Sequence, residues 1–130
     1  LVRPTRSAST DAHCPVISSV LGQSLIVTLV DSDLNAFKAA EINHEIRLLL
    51  EANPGARNLV LDMENIKFLD SAGLNTLVDL ISPVRQRGGC IAVAAACQQV
   101  EVLFKLTRLE LIFKIRRTTL EAIDAAERAG

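Results

Sequence analysis

Asn58-Leu59-Val60-Leu61-Asp62-Met63-Glu64-Asn65-Ile66-Lys67-Phe68-Leu69-Asp70-Ser71-Ala72-Gly73-Leu74 is the stretch that decides the fold. Leu59-Val60-Leu61 is unbroken apolar, the character of a central strand covered on both faces. After Asp70 the pattern becomes helical. Leu74, Leu77, Val78 and Ile81 fall at the i, i+3, i+4, i+7 spacing of one buried face. Asp70 is a good N-cap, because its carboxylate can accept a bond from the N–H of Ala72 or Gly73. Ser71 then lies in the first turn, where backbone N–H groups have no intrahelical partner and the helix dipole is positive. A phosphate on that hydroxyl would sit where an anion is favoured, so Ser71 is a candidate switch.

The chain on either side supplies the rest of the sheet. Val16 to Val20 and Leu25 to Val30 are β-rich runs separated by Leu21-Gly22-Gln23-Ser24, which predicts an antiparallel hairpin. Asp31-Ser32-Asp33 breaks the second run. A helix follows from about Ala36, with Ala39, Ile42, Ile46, Leu49 and Leu50 on one face and Asn53-Pro54-Gly55 as its stop. Downstream, the Ser71 helix ends before Gly88-Gly89, a candidate left-handed cap, and Pro83 places a kink or an end near Ser82. Cys90 to Ala94 reads as a strand. Val100, Leu103, Phe104 and Leu106 mark a short helix, and Ile112, Phe113 and Ile115 a last strand. Thr118-Thr119 caps a terminal helix from Leu120 to about Ala126. The order β-β-α-β-α-β-α-β-α predicts an α/β domain: a mostly parallel central sheet, an antiparallel N-terminal edge hairpin and about four helices.

Composition narrows the function. The 130 residues carry 14 Lys and Arg against 15 Asp and Glu, a formal charge of −1. Nucleic acid is therefore an unsuitable partner, since it demands a basic face. With no Trp or Tyr and four Phe, the chain also lacks a base-stacking platform. No apolar run reaches the roughly 20 residues of a membrane span, so no membrane insertion is expected. Cys14, Cys90 and Cys97 follow no CxxC pattern and read as small hydrophobes in a reducing cytoplasm. His13 beside Cys14 and His44 beside Glu45 belong to no metal-ligand spacing, so neither a metal nor a cofactor is expected. Residues 1–14 begin at Leu1, mix Arg, Pro, Ser and Thr, and read as a disordered or cloning-derived segment. No apolar core follows Arg3 and Arg6, so this segment is not expected to be a signal peptide. Residues 15–130 read as one domain.

This order, with its central motif, resembles the STAS domain, the fold of bacterial anti-sigma factor antagonists. Ser32-Asp33-Leu34-Asn35 stands where that family often has Gly-x-Leu-Asp before the first helix. Leu59 to Leu74 resembles its strand, loop and phosphoacceptor turn, and Gly88-Gly89 precedes a strand as in the family. Val102-Leu103-Phe104-Lys105-Leu106-Thr107-Arg108-Leu109 resembles its short helix and Gly/Leu turn. Two departures stand out: Ser32 replaces the usual Gly of the first loop, and Thr107-Arg108-Leu109 lacks the family's frequent Gly. The resemblance implies a cytoplasmic, phosphorylation-controlled binding module without catalytic residues. Ser71 would be phosphorylated, with Asp70, Ala72 and Gly73 supporting the turn, and Asn35, Lys38 and Glu41 would form a modest, mostly polar partner patch. The implied partners are an anti-sigma factor that doubles as a serine kinase, and a phosphatase. The alternative is a STAS domain acting as a structural subunit of a transport or stress-signalling assembly, with Ser71 unmodified.

Local letters alone favour a Ser71 that does no more than help cap a helix; the framing strand, Gly73 and the whole-chain resemblance favour the switch instead. Gly73 could clear space for a partner or be an ordinary helix-start glycine. A serine nucleophile needs a base and an oxyanion hole; the chain has no G-x-S-x-G elbow, and nothing aims His44 at Ser71. Gly88-Gly89 is followed by no Lys-Ser/Thr, which excludes a P-loop. Arg85, Arg87, Arg116 and Arg117 read as solvated helix-end and strand-end charges.

Overall fold

The computed structural model describes residues 16–129. Residues 1–15 and Gly130 lie outside them, and with them the expectation for the N-terminal segment and for Cys14. The expected hairpin is formed by β1 (Val16–Leu21) and β2 (Ser24–Leu29), whose antiparallel register closes on Leu21 opposite Ser24. After β2 come β3 (Asp33–Leu34), α1 (Ala36–Ala52), β4 (Asn58–Asp62), β5 (Phe68–Leu69), α2 (Ser71–Asp79) and α3 (Ile81–Gln86). Then follow β6 (Ile91–Ala94), α4 (Gln98–Leu106), a 3-10 turn at Leu109–Leu111, β7 (Lys114–Arg116) and α5 (Thr119–Ala129).

The main sheet has the order β1-β2-β4-β6-β7, and every pair beyond the hairpin is parallel. Leu59-Val60-Leu61 is therefore the central strand, fully buried, as its apolar run required. Alternation along the strands divides the interior in two. Leu59, Leu61, Ile91 and Val93 face inward to α1–α4, with Val27, Ile46, Leu77, Val84 and Phe104. Val60, Ala92 and Ala94 face the other way and meet Ala122, Ile123 and Ala126 of α5.

The buried face of α1 is Ala39, Ile42, Ile46, Leu49 and Leu50, as its periodicity predicts. The second helix stops close to the kink or end expected near Ser82, but one residue of its expected face turns outward. It breaks at Leu80, so α2 buries Gly73, Leu74, Thr76 and Leu77, while Val78 turns outward and Ile81 opens α3 half-buried. Pro83 takes the third position of α3, where a missing N–H leaves no intrahelical bond unmade. Gly88, at φ +76, ends α3: its N–H donates to Arg85 O and that of Gly89 to Val84 O. Arg87 is not a solvated charge. Its guanidinium donates to Leu50 O, Asn53 O and Ala56 O, answering carbonyls at the end of α1.

Further along, Leu106 is exposed at the last turn of α4. Ile112 and Phe113 precede the last strand instead of joining it, because Phe113 drops into the core and stacks on Phe104 at 5.5 Å between ring centroids. No helix among the described residues is long and apolar enough to cross a membrane.

Candidate functional site

Two-residue strands set the site. β3 and β5 form a parallel ladder of their own, with Asp33 opposite Phe68 and Leu34 opposite Leu69. Ser32 O accepts from the N–H groups of Lys67 (2.6 Å) and Phe68 (3.1 Å), which extends the register by one residue. Each strand leads directly into a helix cap. Asn35 (φ −89, ψ 176) begins α1, and Asp70 (φ −90, ψ 179) begins α2. Asn35 Oδ1 accepts from Lys38 N–H at 3.0 Å, and Asp70 Oδ1 from Gly73 N–H at 2.8 Å. The two first turns therefore start side by side. A dipeptide ladder carries no periodicity, so only the register reveals it.

Gly73 explains how close they come. A Cβ there would run into the carbonyl oxygen of Leu34 and lie 2.9 Å from Leu69 Cδ1. The glycine is required by packing of α2 on β3. At the other end of α2, Asn43 Nδ2 donates to Thr76 O (3.3 Å) and Arg47 Nη2 to Asp79 O (3.0 Å), answering C-terminal carbonyls from α1. The Ser71 helix is thus held at both ends, and Ser71 itself is exposed at its first position, with Ala72 half-buried beside it.

Of the residues expected on the patch, Asn35 and Lys38 are half-buried and Glu41 is exposed, one turn further along α1. Asn35 Nδ2 also donates to Asp33 Oδ2 at 3.3 Å, and Lys38 Nζ lies 3.9 Å from Asp31 Oδ1. An ion pair this long, at a surface, contributes little stability. His44 stands exposed on α1, about 12 Å along the axis from its first residue at 1.5 Å per residue. No base is arranged against Ser71 among the described residues.

Two exposed rings were missed. Phe37, in the first turn of α1, is 86% exposed, and Phe68, next to last before Asp70, is 69% exposed. Phe37 lies off the Ala39-Ile42-Ile46 stripe, which is the sequence signal that it faces outward. The surface around Asn35, Lys38 and Glu41 is therefore less polar than the mostly polar patch expected from the resemblance. A shallow hollow of about 240 Å³ adjoins it, lined by Lys67, Phe68, Leu69, Gln99, Val100 and Leu103. No cluster of three metal-ligating side chains occurs among the described residues.

The STAS domain family profile matches residues 16–122, which span β1 to the first turn of α5. The chain belongs to the STAS domain family. A Thermotoga maritima protein provisionally named an anti-sigma factor antagonist is 29% identical over 76 residues, 58% of this chain and 67% of that relative. The crystal structure of an anti-sigma factor antagonist from Mycobacterium paratuberculosis superposes with a TM-score of 0.74 at 20% identity, covering 86% of this chain and 92% of that one. Bacillus SpoIIAA, solved unphosphorylated and phosphorylated, gives a TM-score of 0.62 in both forms at 15% and 16% identity. Coverage is 82% of this chain and 91% and 93% of those. At these identities the structures establish the STAS fold.

Proposed function

We propose that this STAS domain is a cytoplasmic, non-catalytic binding module of the anti-sigma factor antagonist type, switched by phosphorylation of Ser71. The observation that carries the reading is the position of Ser71: exposed at a helix N-terminus that Asp70 caps and Gly73 packs rigidly against the start of α1. Asn35, Lys38 and Glu41 supply the neighbouring partner surface, and Asp70 and Ala72 flank the acceptor. The partners are an anti-sigma factor acting as serine kinase and a phosphatase that resets the switch. A phosphate adds about −1.5 to −2 charges, which the dipole of α2 tolerates and a partner fitted to a neutral hydroxyl does not. The existence of SpoIIAA in a phosphorylated form supports the same logic for a protein of this fold.

The test is intact mass and site mapping after incubation with candidate serine kinases and ATP. One phosphate on Ser71, absent in Ser71→Ala, is the expected result. A kinase that binds the domain but modifies another residue sinks the assignment and favours the structural-subunit role.

A further inference from the structure

We propose that α5 is a strap that lifts from the sheet as one unit while the rest of the domain stays folded, baring Val60, Ala92 and Ala94. Its seat is slight. The buried cluster between α5 and the sheet is Val60, Ala92 and Ala94 against Ala122, Ile123 and Ala126, with the half-buried Ile26 and Cys90 packed against it, so four of its six buried members are alanines. Hydrophobic stabilisation scales with apolar area removed from water, and alanine offers little of it. Leu120, the first apolar residue of the helix, is 72% exposed and adds nothing to the seat.

The ends are held by polar contacts. Thr118 Oγ1 accepts from Glu121 N–H at 3.1 Å, a side-chain N-cap, and the Thr118 hydroxyl lies 3.3 Å from Glu121 Oε1, to which it donates. At the far end Glu127 Oε2 accepts from Gln23 N–H at 3.1 Å and from the Ser24 hydroxyl at 3.2 Å. Water replaces such bonds only in part when a helix lifts, so the Glu127 clasp favours the closed position by a modest factor that its removal would forfeit.

One group also opposes closure. Ser24 is the register partner of Asn58, so the Glu127 end of α5 lies over that pair. Alternation puts Asn58 on the Val60 side of β4. Its Oδ1 accepts from Cys90 N–H at 3.0 Å, but its Nδ2 is fully buried with no hydrogen-bond partner among the described residues. A buried unsatisfied donor destabilises the closed state and is relieved once water enters. A small seat, end clasps and an orphan donor make α5 the element that opens first.

Native-state hydrogen exchange on the full chain tests this. Ile123, Asp124, Ala125 and Ala126 amides should share one protection factor, at least about tenfold below that of Val60 and Leu61 in β4, as expected of a sub-global opening. Glu127→Ala should speed the α5 amides by about tenfold and leave β4 unchanged. Equal protection of α5 and β4 in the parent chain overturns the proposal. So does protection that declines residue by residue towards the C-terminus, or a Glu127→Ala effect that accelerates both elements alike.

Discussion

On the inner face of the sheet, Leu59, Leu61, Ile91 and Val93 meet four helices through side chains as large as Phe104 and Ile46. On the outer face the intervening residues Val60, Ala92 and Ala94 meet α5 alone. The contrast is written as alternation in Ile91-Ala92-Val93-Ala94, where every second residue loses all but a methyl group. Stability is concentrated on the inner side, and the candidate switch is built there too. The first turns of α1 and α2 emerge from that layer, so Ser71 is presented on the most firmly packed part of the molecule. The outer face is free to be weak because the site does not depend on it.

Leu77→Asp probes the inner layer with the largest expected effect. Leu77 is fully buried against the core, and an unpaired carboxylate there costs several kcal/mol, a large part of the roughly 5–15 kcal/mol that holds a domain together. The variant should lack a cooperative urea transition. A melting temperature within about a degree or two of the parent would show that the face of α2 is misassigned. The milder Leu77→Ala should cost about 3–5 kcal/mol, and Ile123→Ala, the matching truncation on the outer face, about 2 kcal/mol. A thin layer settles onto a truncated residue more easily than a jigsaw of large side chains does. Equal losses in chemical denaturation would break the contrast between the faces.

Much of this was legible in the sequence, for identifiable reasons. The buried face of α1 is a long run with clean periodicity, and Asp70 reads as a cap because the chemistry is local. What failed was set by distant partners. Val78 fits the helical spacing, yet the break at Leu80 and the close approach of Gly73 to Leu34 rotate it outward. Ile112 and Phe113 look like a strand, but the stack on Phe104 claims Phe113 first. The β3–β5 ladder, which brings the two helix starts together, is too short to leave any pattern. The nearness of Asn35 to Asp70 therefore entered only through the family resemblance.

The missing glycine at the end of α4 has become visible as strain. Arg108 sits in the left-handed region at φ 60, ψ 17, where the family often has Gly. Backbone bonds at the end of α4, Thr107 N–H to Leu103 O and Arg108 N–H to Lys105 O, accompany that conformation, whose cost for a side-chain-bearing residue is of order 1 kcal/mol. Arg108→Gly should relieve it and raise stability by about 0.5 kcal/mol after the added flexibility of the unfolded chain is subtracted. A loss of stability in urea titration would mean that the Arg108 side chain, not the turn, stabilises the layer.

The smallest expected effect on stability uses the same substitution as the largest, six residues earlier on the same helix. Ser71→Asp places a carboxylate at an exposed first position, where the dipole of α2 favours it by roughly 0.3–1 kcal/mol. Repulsion from Asp70 offsets most of that gain. The net change should stay within about 0.5 kcal/mol, or about 2 °C in melting temperature. Binding should respond very differently. A partner closing over the first turns of α1 and α2 must desolvate the new charge beside Asp70, so Ser71→Asp should lose the proposed kinase partner in a titration. Ser71→Ala should bind it and resist release on addition of ATP. Glu41→Lys, at an exposed position on the adjoining surface, should weaken the same complex without changing the fold. If Ser71→Asp binds as tightly as the parent while remaining folded, the rigid presentation of Ser71 serves assembly and not a switch. A clear loss of stability would instead mean that the hydroxyl is part of the packed layer, and the separation between the stabilising core and the switch would fall with it.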